Sequence, residues 1–559
     1  MSRFLILVHD DSAAGTIDDW LQLRRSTSSE QWSTRLNSTY TLRIVSRDVA
    51  EAVRGRSFFT GVAMSESSAF LTLDTAGWQR SERLRSRAVA TAGAFVQATW
   101  SRSEVRIGND LFGTVPIAQA HGPGFVAFSD SLLVLADLRD RFGLVNTPNA
   151  EALLARTGLS WRTAQVLSTE TPVREIALVP PGRGVTVQCT RPLLVDADET
   201  SLGTVLESGP GAIEAARTSA AFLVSVLGGL PDKFPTSLLV SSPQEHFLLD
   251  VLRRSGSAER VAVRAAASSL DRLTLGQREQ DIESAQPLPD DEALTSWAAS
   301  SLGLYDVVAP SEPTPSLGDS TIGVDAAGNA VARRIWGSQS AEEMRQQSGL
   351  EGRAGDAYVA QVAKGLRSIG CDPVSQSSSQ QHYVAYRSPR YVASVWAGST
   401  TLHPLHSLSS ATVSTIGRQL DGVDGLDAIE ALLTERTGHG PDAVAGRAVH
   451  ALTLAELGGP LQDSEVPELE IFGNVHSAQG STELGLAIAA DRGLGGSTAE
   501  RDVLAALMED LLGVLPTELL PAFEPLLSNA RWHLLDKREP FAEAGPSIGK
   551  LLSLVLFAN

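Results

Sequence analysis

Residues 105–141 read VRIGNDLFGTVPIAQAHGPGFVAFSDSLLVLADLRDR, and the order of apolar runs and turn residues within them decides the fold class. Val105–Ile107 is a short apolar run of strand length. The segment Asp110-Leu-Phe-Gly-Thr-Val-Pro116 interrupts it, with Gly113 permitting a tight turn and Pro116 stiffening the exit. A second strand over Phe125–Phe128 ends in Phe128-Ser-Asp-Ser131, and an amphipathic helix follows. Short β-like runs separated by turns continue upstream at Phe4–Val8, Tyr40–Val45, Phe70–Leu73 and Phe95–Trp100, and downstream at Gly184–Val187. Together they predict a strand-rich, layered domain over residues 1–200.

The texture changes further along. Ser201 to Pro210 is polar and Gly-bearing and reads as a linker, which leaves residues 211–559 as a second domain. Ile213–Val226 has helical spacing, Ser237–Val240 reads as a buried strand, and Phe247–Arg253 reads as the helix after it. Strand followed by helix is the grammar of a parallel α/β sheet. Residues 310–381 are rich in Ser, Gly and Gln and predict loops or locally mobile chain. The remainder reads as helical: Ser497 and Glu500 have capping-box spacing, and an apolar stripe runs on through Leu515. No internal repeat is visible, and residues 466–559 carry no functional signal.

Composition excludes several function classes. The 559 residues carry 46 Lys+Arg against 65 Asp+Glu, a net charge of −19. A general nucleic-acid or anionic-membrane binder needs a basic surface, so neither partner is expected. Hydrophobic residues make up 43% of the chain, enough for buried cores. At roughly 150 residues per domain the length predicts three to four units, or two large ones. Cys189 and Cys371, the only cysteines, provide neither a disulfide framework nor a four-thiolate metal site. Phe4–Val8 is too short for a signal-peptide core, and no run approaches the roughly 20 apolar residues of a membrane helix. Leu551–Phe557 is apolar but spans only a turn or two of helix, or a strand. A cytoplasmic protein with reduced thiols is expected.

The Asp110–Pro116 and Phe128–Ser131 strings resemble the "D-P-x-G-x-x-P-L-Y … (A/F)-S … L" segment of the asparagine synthetase and β-lactam synthetase family. A second match, Thr171-Pro-Val-Arg-Glu-Ile176-Ala-Leu-Val-Pro180-Pro181-Gly182, resembles that family's "T-x-(F/V)-x-x-I-x-x-L-P-P-G" turn. The resemblance implies an α+β Ntn-hydrolase-like β-sandwich (αββα), followed by an α/β synthetase domain of the adenine nucleotide α-hydrolase type with a helical C-terminus. Usable landmarks extend to about residue 310.

The family's chemistry is poorly represented. Its N-terminal cysteine releases ammonia from glutamine, whereas Ser2 stands here without an Asn-Gly-Glu loop. The resemblance therefore implies a scaffold domain, as in the β-lactam synthetase branch. Its adenylating loop, S-G-G-x-D-S, follows a strand and cradles pyrophosphate with main-chain N–H groups. After Ser237–Val240 this chain has Ser241-Ser242-Pro243-Gln244-Glu245-His246. Ser242 adds a side chain where phosphate must come close, and Pro243 has no N–H to donate. Glu245 keeps a carboxylate and His246 replaces a hydroxyl.

Asp291-Glu292 through Gly303 resembles the family's acid-led helix. The "G-D-G-G-D-E" loop has only Val324-Asp-Ala-Ala-Gly-Asn329 as its nearest counterpart, and His403-Pro404-Leu405-His406 stands where "P-(F/L)-L-D" is expected. No counterpart is evident for the family's lysine that neutralises pyrophosphate.

Other motifs carry less. Gly545-Pro-Ser547-Ile-Gly549 matches a nucleophile elbow, but no acid and histidine follow it. Gly493-Leu-Gly495-Gly496-Ser497 reads as a turn and cap. Pro404 disfavours a helical metal pair at His403 and His406, and Arg80–Arg87 and Arg333–Arg334 read as solvated faces.

Three functions follow from this reading. The first is a degenerate, non-catalytic family member with vestigial nucleotide positions (Ser241, Ser242, Gln244, Glu245, His246) and no cofactor. It would bind a protein partner, a peptide or a small molecule, and a homo-oligomer is compatible with it. The second is an ATP-dependent amide ligase resembling β-lactam synthetase or lasso-peptide cyclases, with Mg²⁺ on Glu245. The third is an Ntn amidohydrolase using Ser2 and its own amine.

Overall fold

In the computed structural model the described residues are 4–23, 30–46, 49–65, 70–72, 75–80, 92–159, 166–198, 202–207, 212–228, 236–240, 261–266, 283–285, 320–322, 340–374, 381–387, 400–402, 505–506 and 508–532, with 535, 547, 550, 551, 554 and 557. The chain opens with β1 (Phe4–Asp10), α1 (Asp11–Leu23), β2 (Glu30–Arg35), β3 (Tyr40–Ser46), α2 (Val49–Ala52) and β4 (Val53–Arg54). Next come β5 (Ser57–Ser65), β6 (Phe70–Thr72), α3 (Thr75–Arg80), β7 (Ala92–Trp100) and β8 (Glu104–Asn109). A further hairpin, β9 (Ala118–Gly122) and β10 (Phe125–Ser129), leads to α4 (Leu132–Arg141) and α5 (Ala150–Leu154). Three short strands, β11 (Ile176–Leu178), β12 (Val185–Gln188) and β13 (Leu194–Ala197), complete this part.

Two antiparallel sheets result. One has the order β11-β9-β10-β1-β3-β2; the other runs β13-β12-β8-β7-β5-β4, with β6 pairing β5. The run Phe4-Leu-Ile-Leu-Val8 explains how they stack. Phe4, Ile6 and Val8 meet Phe58, Val96 and Ile107 of the opposite sheet, while Leu5 and Leu7 meet Ile17 and Trp20 of α1 and Leu135 of α4. A strand covered on both faces needs such a continuous apolar run. On the far side, Trp78 of α3 lies against Phe59 and Phe95, with ring centroids 5.0 and 5.2 Å away. Layers therefore follow the sequence helix, sheet, sheet, helix.

Helix α4 starts where Ser131 caps it, its Oγ accepting from Val134 N at 3.1 Å. Ser131→Ala is expected to lower stability by about 1 kcal/mol, measured as the shift in urea unfolding; an unchanged midpoint would show the cap to be dispensable.

The second part holds α6 (Leu202–Glu207), α7 (Ala212–Gly228) and five strands: β14 (Thr236–Val240), β15 (Val261–Ala266), β16 (Glu283–Ala285), β17 (Ser320–Ile322) and, later, β18 (Thr400–Leu402). Their order is β16-β15-β14-β17-β18, and every pairing is parallel. Between β17 and β18 lie α8 (Ala341–Ser348) and α9 (Gly352–Ser368), and α10 (Leu520–Arg531) comes near the end.

Two expectations are corrected. The stretch expected to be a linker is helical over Leu202–Glu207, because Leu202 is fully buried and Gly203 N donates to Ile369 O at 2.7 Å. The segment expected to be looped over 310–381 contains α8 and α9. Tyr358, Val362 and Leu366 form an apolar stripe on α9 that buries into the core beside α5, and Ser340 with Glu343 makes a capping box for α8. Residues 508–512 are helical, as the apolar stripe predicted, while Ser497 and Glu500 fall outside the described residues, as does Phe247–Arg253. Among the described residues no helix is long and apolar enough to cross a membrane.

Candidate functional site

The parallel sheet defines one candidate crevice. From β14 the chain steps to β15 and β16 on one side, then returns to place β17 and β18 on the other. The direction of winding therefore reverses between β14 and β17. In open α/β sheets ligands bind outside the carboxyl ends of the strands at such a switch point. Register sets Thr236 opposite Ser320 and Ser320 opposite Thr400, so β14, β17 and β18 lie side by side and end at Val240, Ile322 and Leu402. Along the chain, residues 241–246, 324–329 and 403–406 each begin within two residues of one of these strand ends. Ser241, Ser242, Gln244, Glu245, His246, His403 and His406 themselves lie outside the described residues, as do Asp291–Gly303, Gly493–Ser497 and Arg333–Arg334.

A second locus is the start of β1, where Ser2 also lies outside the described residues. Phe4 is buried and pairs with Ser46 on β3. Ser129 Oγ donates to Phe4 O at 3.0 Å and accepts from Ser131 N at 3.1 Å, so this hydroxyl is spent on the backbone. In the turn after β8, Asp110 is fully buried and accepts from Phe112 N, Thr114 N and Thr114 Oγ1 at 2.8–3.0 Å. Burial outweighs these donors and pushes its carboxyl up to about 7.

The two strings read as landmarks touch one another. Gly113 has φ +64° and a Cβ there would stand 3.3 Å from Pro181 Cα; at Gly182, φ +71°, it would stand 2.9 Å from Leu111 O. Both turns need glycine for backbone conformation and for this approach. Thr171 is buried and its Oγ1 donates within its own turn, to Val173 O or Ile176 O. These residues build the scaffold rather than a reaction site.

Sequence reasoning missed a polar seam between α5 and α9. Ser168 Oγ donates to Gln361 Oε1 at 2.6 Å, and Gln361 Nε2 donates to Glu151 at 3.0 Å and Glu170 at 2.7 Å. Lys364 Nζ pairs with both carboxylates at 2.8 Å. The only signal in the sequence is the three-residue spacing of Gln361 and Lys364, which puts both on one face of α9. Neither cysteine forms a disulfide; burial pushes the Cys189 thiol up to about 11, which leaves it unreactive near neutrality. Ser547 of the elbow-like string is buried and donates to Asn529 Oδ1 at 2.8 Å. Among the described residues no group of three His, Cys, Asp or Glu could hold a metal.

No protein-family model matches this sequence, and no curated protein matches it. A solved structure that is similar in part is the glutamine phosphoribosylpyrophosphate (PRPP) amidotransferase from B. subtilis complexed with ADP and GMP. The match covers 66% of this chain and 92% of that one, at 9% identity and a TM-score of 0.22. At that score the fold description rests on the sheets themselves: a two-sheet antiparallel α+β domain and a parallel sheet.

Proposed function

We propose that this chain is an asparagine-synthetase-like protein that has lost glutaminase and ATP-adenylating activity. It serves as a non-catalytic partner, or as a substrate- or carrier-binding subunit, in a biosynthetic pathway. What supports this reading is that residues 241–246, 324–329 and 403–406 follow, along the chain, the ends of three neighbouring parallel strands, β14, β17 and β18. The order of the parallel sheet reverses between β14 and β17, where such sheets bind ligands, and residues 241–246 follow β14 directly along the chain. A phosphate loop there works by pointing backbone N–H groups at charged oxygens. Pro243 removes one such donor and Ser242 narrows the approach. Losing two contacts of about 1.5–3 kcal/mol each weakens binding by roughly a hundred- to ten-thousand-fold.

Calorimetry of the full chain with ATP and Mg²⁺ tests this. Binding is expected to be millimolar or absent, with no pyrophosphate released. Micromolar affinity would overturn the reading and favour an amide ligase in which Glu245 holds Mg²⁺.

A further inference from the structure

Arg156 closes the C-terminal turn of α5, where its N donates to Leu153 O at 3.1 Å. The residue as a whole is half-buried, yet its Nε and Nη2 atoms are sealed from solvent and have no hydrogen-bond partner. Those atoms share one edge of the guanidinium plane, the edge that presents two parallel N–H groups. Close to it lies the amine of Lys550. Lys550, 3% exposed, donates from Nζ to Gly158 O at 2.6 Å. Burial, and then the proximity of Arg156, hold the Lys550 amine well below its ordinary range, while burial draws Arg156 down to about 10. A guanidinium carries its charge through the physiological range, so this pocket of positive potential persists at neutral pH.

Buried guanidinium groups normally meet a carboxylate or another acceptor, because desolvated N–H groups without one are costly. Here no carboxylate of the described residues takes that place. We propose that the Nε–Nη2 edge of Arg156 is an oxyanion-binding site, gripping a carboxylate or phosphate group in bidentate fashion at the end of α5, near Lys550. Such a ligand supplies the two missing acceptors and places a negative charge against the guanidinium. The site is separate from the β14–β17 crevice, so it stands or falls independently of the proposed loss of ATP binding.

Thermal unfolding of the full chain, titrated with inorganic phosphate and, separately, with glutarate, is the test. Sodium chloride at matched ionic strength is the reference. Phosphate or glutarate is expected to raise Tm in a saturable way beyond chloride, and whichever does so tells a phosphate ligand from a carboxylate one. Arg156→Gln is expected to abolish the response. Arg156→Lys keeps the charge without the paired donors, and is expected to weaken apparent affinity at least about tenfold. Arg106→Gln, at an exposed position, is expected to leave it intact. The proposal is overturned if neither anion exceeds chloride on the unaltered chain, or if Arg156→Lys responds with full affinity.

Discussion

Gly365→Ala is expected to destabilise the protein by about 3 kcal/mol, the upper end of the usual cost of overpacking. Gly365 lies on α9 where that helix meets the Leu167 segment, and a Cβ there would stand 2.2 Å from Leu167 O and 3.1 Å from the Tyr386 ring. Neither side can easily yield. Behind the glycine, Tyr358, Val362 and Leu366 are fully buried, and Gln361 is tied to Ser168, Glu151 and Glu170. In front, Leu167 O accepts a hydrogen bond from His382 Nε2 at 2.8 Å, which pins the carbonyl. Gly15→Ala in α1 is the contrast, since nothing lies within 4 Å of its added Cβ. That change is expected to add about 0.5–1 kcal/mol through helix propensity. Urea unfolding of the two variants measures both; a Gly365→Ala protein as stable as the parent would show that α9 does not seat this closely.

An effect of similar size is expected from pH acting on His382, the ring that pins that carbonyl. His382 is 1% exposed, and burial pushes its pKa down to about 4, against the opposing pull of the hydrogen bond to Leu167 O. An unfolded histidine titrates near 6.5. Between those values the unfolded chain binds the extra proton and the native one does not, so stability falls as pH falls. The contribution is complete above about 6.5 and is lost on approaching 4, an effect on the order of 3 kcal/mol. Asp110 works the other way: its carboxyl is raised to about 7, so its contribution is present below the ordinary carboxylate pKa and is lost as pH rises towards 7. The two oppose each other across one window, which flattens the curve of the unaltered protein. His382→Gln keeps a donor for Leu167 O and removes the titration. The stability difference between parent and variant should therefore move by about 3 kcal/mol between pH 7.5 and 4. Parallel curves over that range would mean the ring is not sealed.

Legibility differed between elements for definite reasons. The strands over Phe4–Val8, Tyr40–Val45, Phe95–Trp100 and Phe125–Phe128 were readable because each buries a face, and a buried face leaves an apolar pattern. β2 was not. Its EQWSTR sequence lies exposed at a sheet edge and pairs through its backbone, leaving Trp32 against Trp100 as its main packing. α9 was obscured by its glycines, which discourage a helix in isolation, within a stretch rich in Ser, Gly and Gln. Here glycine is what lets the helix approach Leu167, and glutamine is what bonds across the seam. Of the candidate site, the altered strings were visible as chemistry, but the adjacency of the strands before them was not.

The linear order of residues by itself determined the layered first domain, the parallel grammar of the second, and the residue types that follow β14, because these depend on side-chain type and local spacing. Only the tertiary structure decided that the Lys550 amine reaches Gly158 O, two residues beyond Arg156. It also decided that Gly113 meets Pro181 and that β14, β17 and β18 are neighbours. Such facts join residues tens to hundreds of positions apart, and distance along the chain says nothing of them until packing closes the loops between.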